Sequence, residues 1–161
     1  MSTSLHLAGP ADAEKLLPLI AAFHEEEQLD LSDAHRRRAV VPLLEGSPHG
    51  AVYVAGPRSA PVGYLIVCFG WSVELGGLDG FLDELYVRPK VRGRGIASEM
   101  LSRAARSLAE AGVMSLTLEV DHDNTSAQSL YSRLGFKDRG RYGLMALPLR
   151  SAPLGAPGAR D

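Results

Sequence analysis

Apolar and polar positions follow two rhythms along this chain. Alternating or unbroken apolar runs at 5–7, 51–55, 62–69, 81–87 and 115–120 read as five strands. Spacings of three and four mark helices between them. Leu16, Leu17, Leu19, Ile20 and Phe23 form one apolar face that Asp12 can cap. Pro18 inside that face predicts a bend or break, and the negative cluster Glu25, Glu26, Glu27 marks its end. Ser32 or Asp33 can open a second helix carrying Ala34, Ala39, Val40, Leu43 and Leu44. Ile96, Met100, Leu101, Ala104, Ala105 and Leu108 trace a third, from near Gly95 to near Gly112. A fourth carries Ala127, Leu130, Tyr131 and Leu134, with Thr125 or Ser126 as its cap and Gly135 as its stop.

The connections are read from glycine and proline. Residues 56–61 supply hairpin chemistry, and residues 70–80, rich in glycine and carrying Trp71, Glu74 and Asp79, read as a loop or a frayed extension joining the third and fourth strands, with Trp71 as a candidate substrate wall. Residues 136–141 and 142–149 are expected to form a closing hairpin. This succession predicts an α/β fold, a mixed α+β sheet with helices on both faces. One domain is expected over 1–150, and residues 151–161, mostly Ala, Pro and Gly, are expected to be a flexible tail.

Composition narrows the function classes. A formal net charge of −2 gives no global attraction to nucleic acid or anionic membrane, and no apolar run is long enough to span a bilayer. The run Arg36, Arg37, Arg38 spreads around one helical turn and reads as a solvated face. A single cysteine, Cys68, excludes an internal disulfide framework and fits a reducing, cytoplasmic setting. His122 between Asp121 and Asp123 has no second cluster at metal-like spacing, so no metal site is expected.

The candidate chemistry lies where the fourth strand meets the third helix. Strand residues 81–87 stop at Pro89, and Arg92-Gly93-Arg94-Gly95-Ile96-Ala97 then leads into the helix. First-turn N–H groups have no intrahelical acceptor, and the helix dipole adds partial positive charge there. Glycines let a phosphate approach the backbone, while Arg88, Lys90, Arg92 and Arg94 add cations. The stretch lacks the Lys-Ser/Thr of a P-loop and the third glycine of a dinucleotide fingerprint.

Arg92 to Ala97 resembles the Arg/Gln-x-x-Gly-x-Gly/Ala signature of the GNAT N-acetyltransferase superfamily. Leu85-Tyr86-Val87-Arg88-Pro89 looks like that family's fourth strand, and Asn124 followed by Ala127, Leu130, Tyr131, Leu134, Gly135 and Phe136 resembles its second motif. The resemblance spans residues 53–147 and implies a GNAT fold: a mostly antiparallel sheet splayed between its fourth and fifth strands. It implies acetyl-CoA as acyl donor, held by Leu85, Tyr86, Val87, the turn Arg92, Gly93, Arg94, Gly95, Ile96, Ala97, and by Asn124 and Tyr131. A backbone N–H near Tyr86 or Val87 would then polarise the thioester carbonyl. Tyr131 matches the family's general acid for the leaving thiolate.

An ammonium acceptor must also lose a proton, which calls for a carboxylate nearby. Asp83 and Glu84 are adjacent on the strand and therefore point to opposite faces unless a bulge re-aims one. Family members acting on polyamines and thialysine resemble this chain in carrying an acidic pair here, in the order Glu-Asp; the register favours Asp83 and the reversal leaves both open. Acidic residues at Glu25 to Glu27, Glu74, Asp83 and Glu84, with Trp71 and Phe81, favour a small cationic amine, with His24 a further candidate at the pocket edge. A protein or peptide acceptor is the alternative, and a non-catalytic CoA-binding sensor the alternative of another class. Family members are often homodimers, and Leu144, Met145, Leu147 and Leu149 would suit such an interface or equally cover the domain's own core.

Overall fold

The computed structural model describes residues 2–150; the expected tail, 151–161, lies outside the described residues. Strand β1 (Leu5–Leu7) is followed by helices α1 (Ala13–Glu26) and α2 (Asp33–Leu44). Strands β2 (Gly50–Ala55), β3 (Gly63–Ser72) and β4 (Gly77–Val87) form a meander. Helix α3 (Ile96–Glu110), strand β5 (Val113–Leu118) and helix α4 (Thr125–Arg133) complete the order. The sheet runs β1-β2-β3-β4-β5, antiparallel except for the parallel β4–β5 pair that the α3 crossover makes necessary.

Alternation along the strands serves two cores. Val52, Val54, Tyr64, Ile66 and Tyr86 face α1 and α2, whose Leu16, Leu19, Ile20, Val40 and Leu44 cover them. Tyr53, Leu65, Val67, Leu82 and Val87 face Met100, Leu101, Ala104 and Leu108 of α3. The side chains on both faces of β3 are buried from Tyr64 to Val67, as its nearly continuous apolar run predicts.

Three expectations change, and the choice left open for 70–80 is decided. α1 runs unbroken through Pro18, which sits on its exposed face and deprives only the Glu14 carbonyl, in the first turn, of its donor. Asp12 makes no side-chain cap to α1; its carboxylate accepts the Gly9 N–H at 2.9 Å and the Arg58 guanidinium at 2.7 Å. The 70–80 segment is mostly strand, with Trp71 paired to Leu78 and Phe69 to Gly80, so the true turn is residues 73–76. Gly77 and Gly80 are there for closeness: a Cβ would meet the Met114 side chain at 2.8 Å and the Leu116 side chain at 3.2 Å. The closing hairpin over 136–149 is not formed. That stretch holds no strand, Leu144, Met145, Leu147 and Leu149 are exposed, and Pro148 removes a donor that a ladder there would need.

Candidate active site

Two irregularities in β4 create the site. The first is a bulge: Ile66 opposes Glu84 and Val67 opposes Leu82, so Asp83 has no partner on β3. The extra residue switches the strand's parity. Leu82 before it and Leu85 and Val87 after it all face the α3 core, while Glu84 and Tyr86 face α1. The second is a splay. β4 and β5 pair only from Leu78↔Val113 to Leu82↔Leu118, and beyond that point they part.

A cavity of about 620 Å³ opens into the gap. Asp83, Glu84, Leu85, Tyr86, Val87, Arg92, Ala97, Asn124 and Tyr131 line it, so nine of the sequence-derived site residues meet there. Gly93, Arg94, Gly95 and Ile96 form the adjoining turn and the first residue of α3, outside the lining. Leu29, Glu119 and Asp121 join the wall without having been singled out from sequence, along with Glu26 and Glu27 from the acidic cluster. Trp71 and Glu74 do not belong to it. They sit at the hairpin end of β3 and β4, the opposite end of β4 from the glycine turn, and Trp71 is 69% exposed there. Glu25 and Phe81 are also outside the lining.

The turn itself fits an anionic ligand. Gly93 and Gly95 both sit at φ +76°, in the left-handed region that glycine alone enters freely, and nothing lies within 4 Å of a Cβ built at either. The turn therefore leaves open space beside the backbone at the N-terminus of a fifteen-residue helix, whose first N–H groups have no intrahelical acceptor. Arg92 is fixed beside them. Its Nε donates to the Val87 carbonyl at 2.8 Å, its guanidinium stacks 5.4 Å from the Tyr86 ring centroid, and Nη2 pairs with Glu26.

Backbone direction around Val87 shows which amides face the gap. The Arg88 N–H points to β3, bonding the Val62 carbonyl at 2.8 Å, so by alternation Tyr86 also donates towards β3. Leu85 and Val87 present their N–H groups to the open edge. The oxyanion donor expected at Tyr86 or Val87 thus falls to Val87, with Leu85 the other candidate.

The two carboxylates are not equivalent. Glu84 is held on both oxygens: Oε1 lies 2.6 Å from His24 Nε2, and Oε2 accepts the Tyr64 hydroxyl at 2.7 Å. Asp83 is exposed to the open cavity, and partial loss of water around it pushes its carboxyl above the ordinary aspartate range, with the charges of Glu84 and Glu119 adding to the rise and His24 opposing it. Burial, then the Glu84 charge and hydrogen bond, push the Tyr64 phenol far above its usual value.

On the opposite wall, α4 begins where Asn124 Oδ1 accepts the Ala127 N–H at 3.0 Å. Asn124 is therefore the cap expected at Thr125 or Ser126, and its side-chain carbonyl is committed to the helix. Tyr131 stands two turns on, half-buried with its ring against Phe136 at 5.7 Å. Burial, then the charge of Glu27, raise its phenol above the usual range, so it stays protonated through neutral pH. His122 and Cys68 add no chemistry here, and among the described residues no group of acidic, histidine or cysteine side chains could hold a metal ion. No helix among them is long and apolar enough to cross a membrane.

Residues 16–136 match the model of the acetyltransferase (GNAT) family. The thialysine N-epsilon-acetyltransferase of Bos taurus is 35% identical over 142 residues, covering 81% of this chain and 82% of its own. A shorter match, 46% identical over 57 residues, joins 35% of this chain to 30% of the N-alpha-acetyltransferase MAK3 of Arabidopsis thaliana. The fold superposes with a TM-score of 0.73 on a predicted acetyltransferase of Clostridium acetobutylicum solved with acetyl-CoA, 18% identical, covering 89% of this chain and 96% of that one.

Proposed function

The chain belongs to the acetyltransferase (GNAT) family, and we propose that it moves the acetyl group of acetyl-CoA directly to a primary amine of a small cationic acceptor, both substrates bound together. The observation that carries this reading is the carboxylate-lined cavity between the splayed strands, with the glycine turn at one end and Tyr131 across from Asp83 and Glu84.

Acetyl-CoA is the donor in this family, and the turn from Arg92 to Ala97 with the first N–H groups of α3 is suited to its pyrophosphate. The splay receives the pantetheine arm. The acceptor enters as an ammonium, which the acidic wall favours. One carboxylate of the Asp83/Glu84 pair takes its first proton, leaving a neutral amine. The nitrogen lone pair then forms the C–N bond while the Val87 N–H, with Leu85 nearby, stabilises charge on the carbonyl oxygen. As the C–S bond breaks, Tyr131 gives its phenolic proton to the thiolate and regains one from the second amine N–H. The products are an amide, CoA thiol and one protonated carboxyl group that returns its proton to water.

A lysyl side chain in a protein is the second reading, since it is itself a cationic primary amine and the peptidyl-lysine N-acetyltransferase YjaB of Salmonella typhimurium is 29% identical over 131 residues. The test is a thermal-shift measurement with acetyl-CoA, followed by thiol release across polyamines, free amino acids, thialysine and lysyl peptides. Stabilisation by acetyl-CoA and release with a small diamine or thialysine are expected. Release confined to peptides would move the assignment to protein acetylation, and release with no amine would refute both.

A further inference from the structure

The buried contacts behind Glu84 divide the labour of the carboxylate pair. His24 is 5% exposed and Tyr64 is fully enclosed, yet each turns its polar atom on the same carboxylate. Among the described residues, His24 Nδ1 has no hydrogen-bond partner, so Glu84 is the ring's one polar anchor. Stability alone is a poor reason for this arrangement. Burying polar groups is costly, and replacing a buried charged network by apolar side chains of similar volume is often neutral or stabilising.

We propose that His24 and Tyr64 are positioning residues: by holding both oxygens of Glu84 they make it a fixed charge beside the amine site and leave Asp83 as the group that takes the amine proton. This rests on the acetyltransferase reading above. The bulge is what brings Asp83 out of the ladder and sets it beside its neighbour instead of on the opposite face. A carboxylate with both oxygens engaged presents its remaining lone pairs in one orientation, which suits binding an ammonium more than following a proton. Among the described residues nothing holds the Asp83 carboxylate in the same way, and the stationary negative charge next to it increases its hold on a proton. In the step itself, the acceptor ammonium and the Asp83 carboxylate become a neutral amine and a neutral carboxylic acid.

The groups that face Asp83 come from four elements. Glu84 is on its own strand, His24 on α1, and Glu119 at the end of β5. On β3, Tyr64 holds Glu84, and Cys68 has its thiol pushed up by burial and then by the charges of Asp83 and Glu84. Glu26 and Glu27 line the same cavity. Removing Glu84's charge therefore lowers the midpoint of Asp83, and removing His24 raises it.

The experiment follows the Asp83 carboxyl by carbon-detected NMR titration in the full-length protein, without substrate, in wild type, Glu84→Gln and His24→Leu. A downward shift in the first variant and an upward shift in the second are expected; an Asp83 midpoint that stays in place in both would overturn the proposal. In parallel, kcat/KM against pH is measured with an amine that turns over. Asp83→Asn should lose roughly 10²-fold or more together with the acid limb of the profile, while Glu84→Gln keeps a limb displaced to lower pH. His24→Gln, which retains an N–H donor, should recover most of the activity that His24→Leu loses. A limb that survives in Asp83→Asn and vanishes in Glu84→Gln makes Glu84 the base and ends the assignment. Failure of every amine would strike the acceptor reading, whereas the titration decides on the pair by itself.

Discussion

Arg92 Nη2 lies 2.8 Å from Glu26 Oε1 and 2.8 Å from Glu26 Oε2, which ties the last residue of α1 to the glycine turn. Both side chains are well exposed, so the pair should add no more than about 1 kcal/mol to stability. Its interest is organisational, because Arg92 also holds the Val87 carbonyl and lies over Tyr86. Arg92→Ala should therefore weaken acetyl-CoA binding by about tenfold, comparable to a lost charged hydrogen bond. Glu26→Ala should change it by less than about threefold, because the two remaining contacts keep the guanidinium in place. Titration calorimetry of both variants checks the difference, and equal losses would mean that Glu26 is what aims Arg92.

Tyr131 lies on the apolar face of α4, and its role separates cleanly from its packing. Tyr131→Phe removes one oxygen and keeps the ring against Phe136. Acetyl-CoA affinity and thermal stability should hold while kcat falls at least about tenfold, within the range general acids supply. Steady-state kinetics beside a melting curve settles this, and an unchanged kcat would remove Tyr131 from the chemistry.

Asp83 carries a stability signature of its own. Its carboxyl in the fold binds a proton more tightly than in the unfolded chain, where the ordinary value of 3.8 applies. The native state thus holds more protons between that value and the raised one, so wild-type stability falls as pH climbs through this window and stays reduced above it. Asp83→Asn removes the penalty. Its melting temperature should exceed that of wild type at neutral pH, and the advantage should shrink as pH falls from the raised value towards 3.8 and be gone below it.

Gly95 offers a test of the turn. At φ +76° an added Cβ meets no atom within 4 Å, so Gly95→Ala carries only the conformational cost of the left-handed region, about 1–2 kcal/mol. Urea melts should show that loss. Acetyl-CoA affinity should fall as well, because the new methyl group stands where the phosphate approaches the backbone.

What the sequence disclosed, and what it hid, follows from the range of each interaction. The turn from Arg92 to Ala97 could be read because a left-handed residue at a helix start is a local demand that glycine answers locally. The pattern from Asn124 to Leu134 was legible for the same reason, although the cap was placed one or two residues late. Glu84's partners were out of reach: Tyr64 lies 20 residues away and His24 60, and only the packing of α1 on β3 and β4 brings them together. The bulge at Asp83 was raised as a condition from sequence, yet it depends on the register between two strands and no single stretch displays it. The glycines of 70–80 left loop and strand open because two of them make room for Met114 and Leu116 instead of bending the chain. The apolar spacing of 142–149 likewise suggested a hairpin that finds no partner strand among the described residues.

The bulge also sets how this strand can change. Because one surplus residue separates Leu82 from Leu85 and Val87, all three reach the same core. Removing the codon for Asp83 would take out only the surplus residue: Leu82 and Leu85 would then stand two positions apart, still on the α3 face by ordinary alternation, and Glu84 and Tyr86 would keep facing α1. In a mutational library, position 83 should thus tolerate many replacements, and even its in-frame deletion, as far as folding is concerned, while an in-frame deletion at Leu65, inside the regular ladder, should be far more damaging.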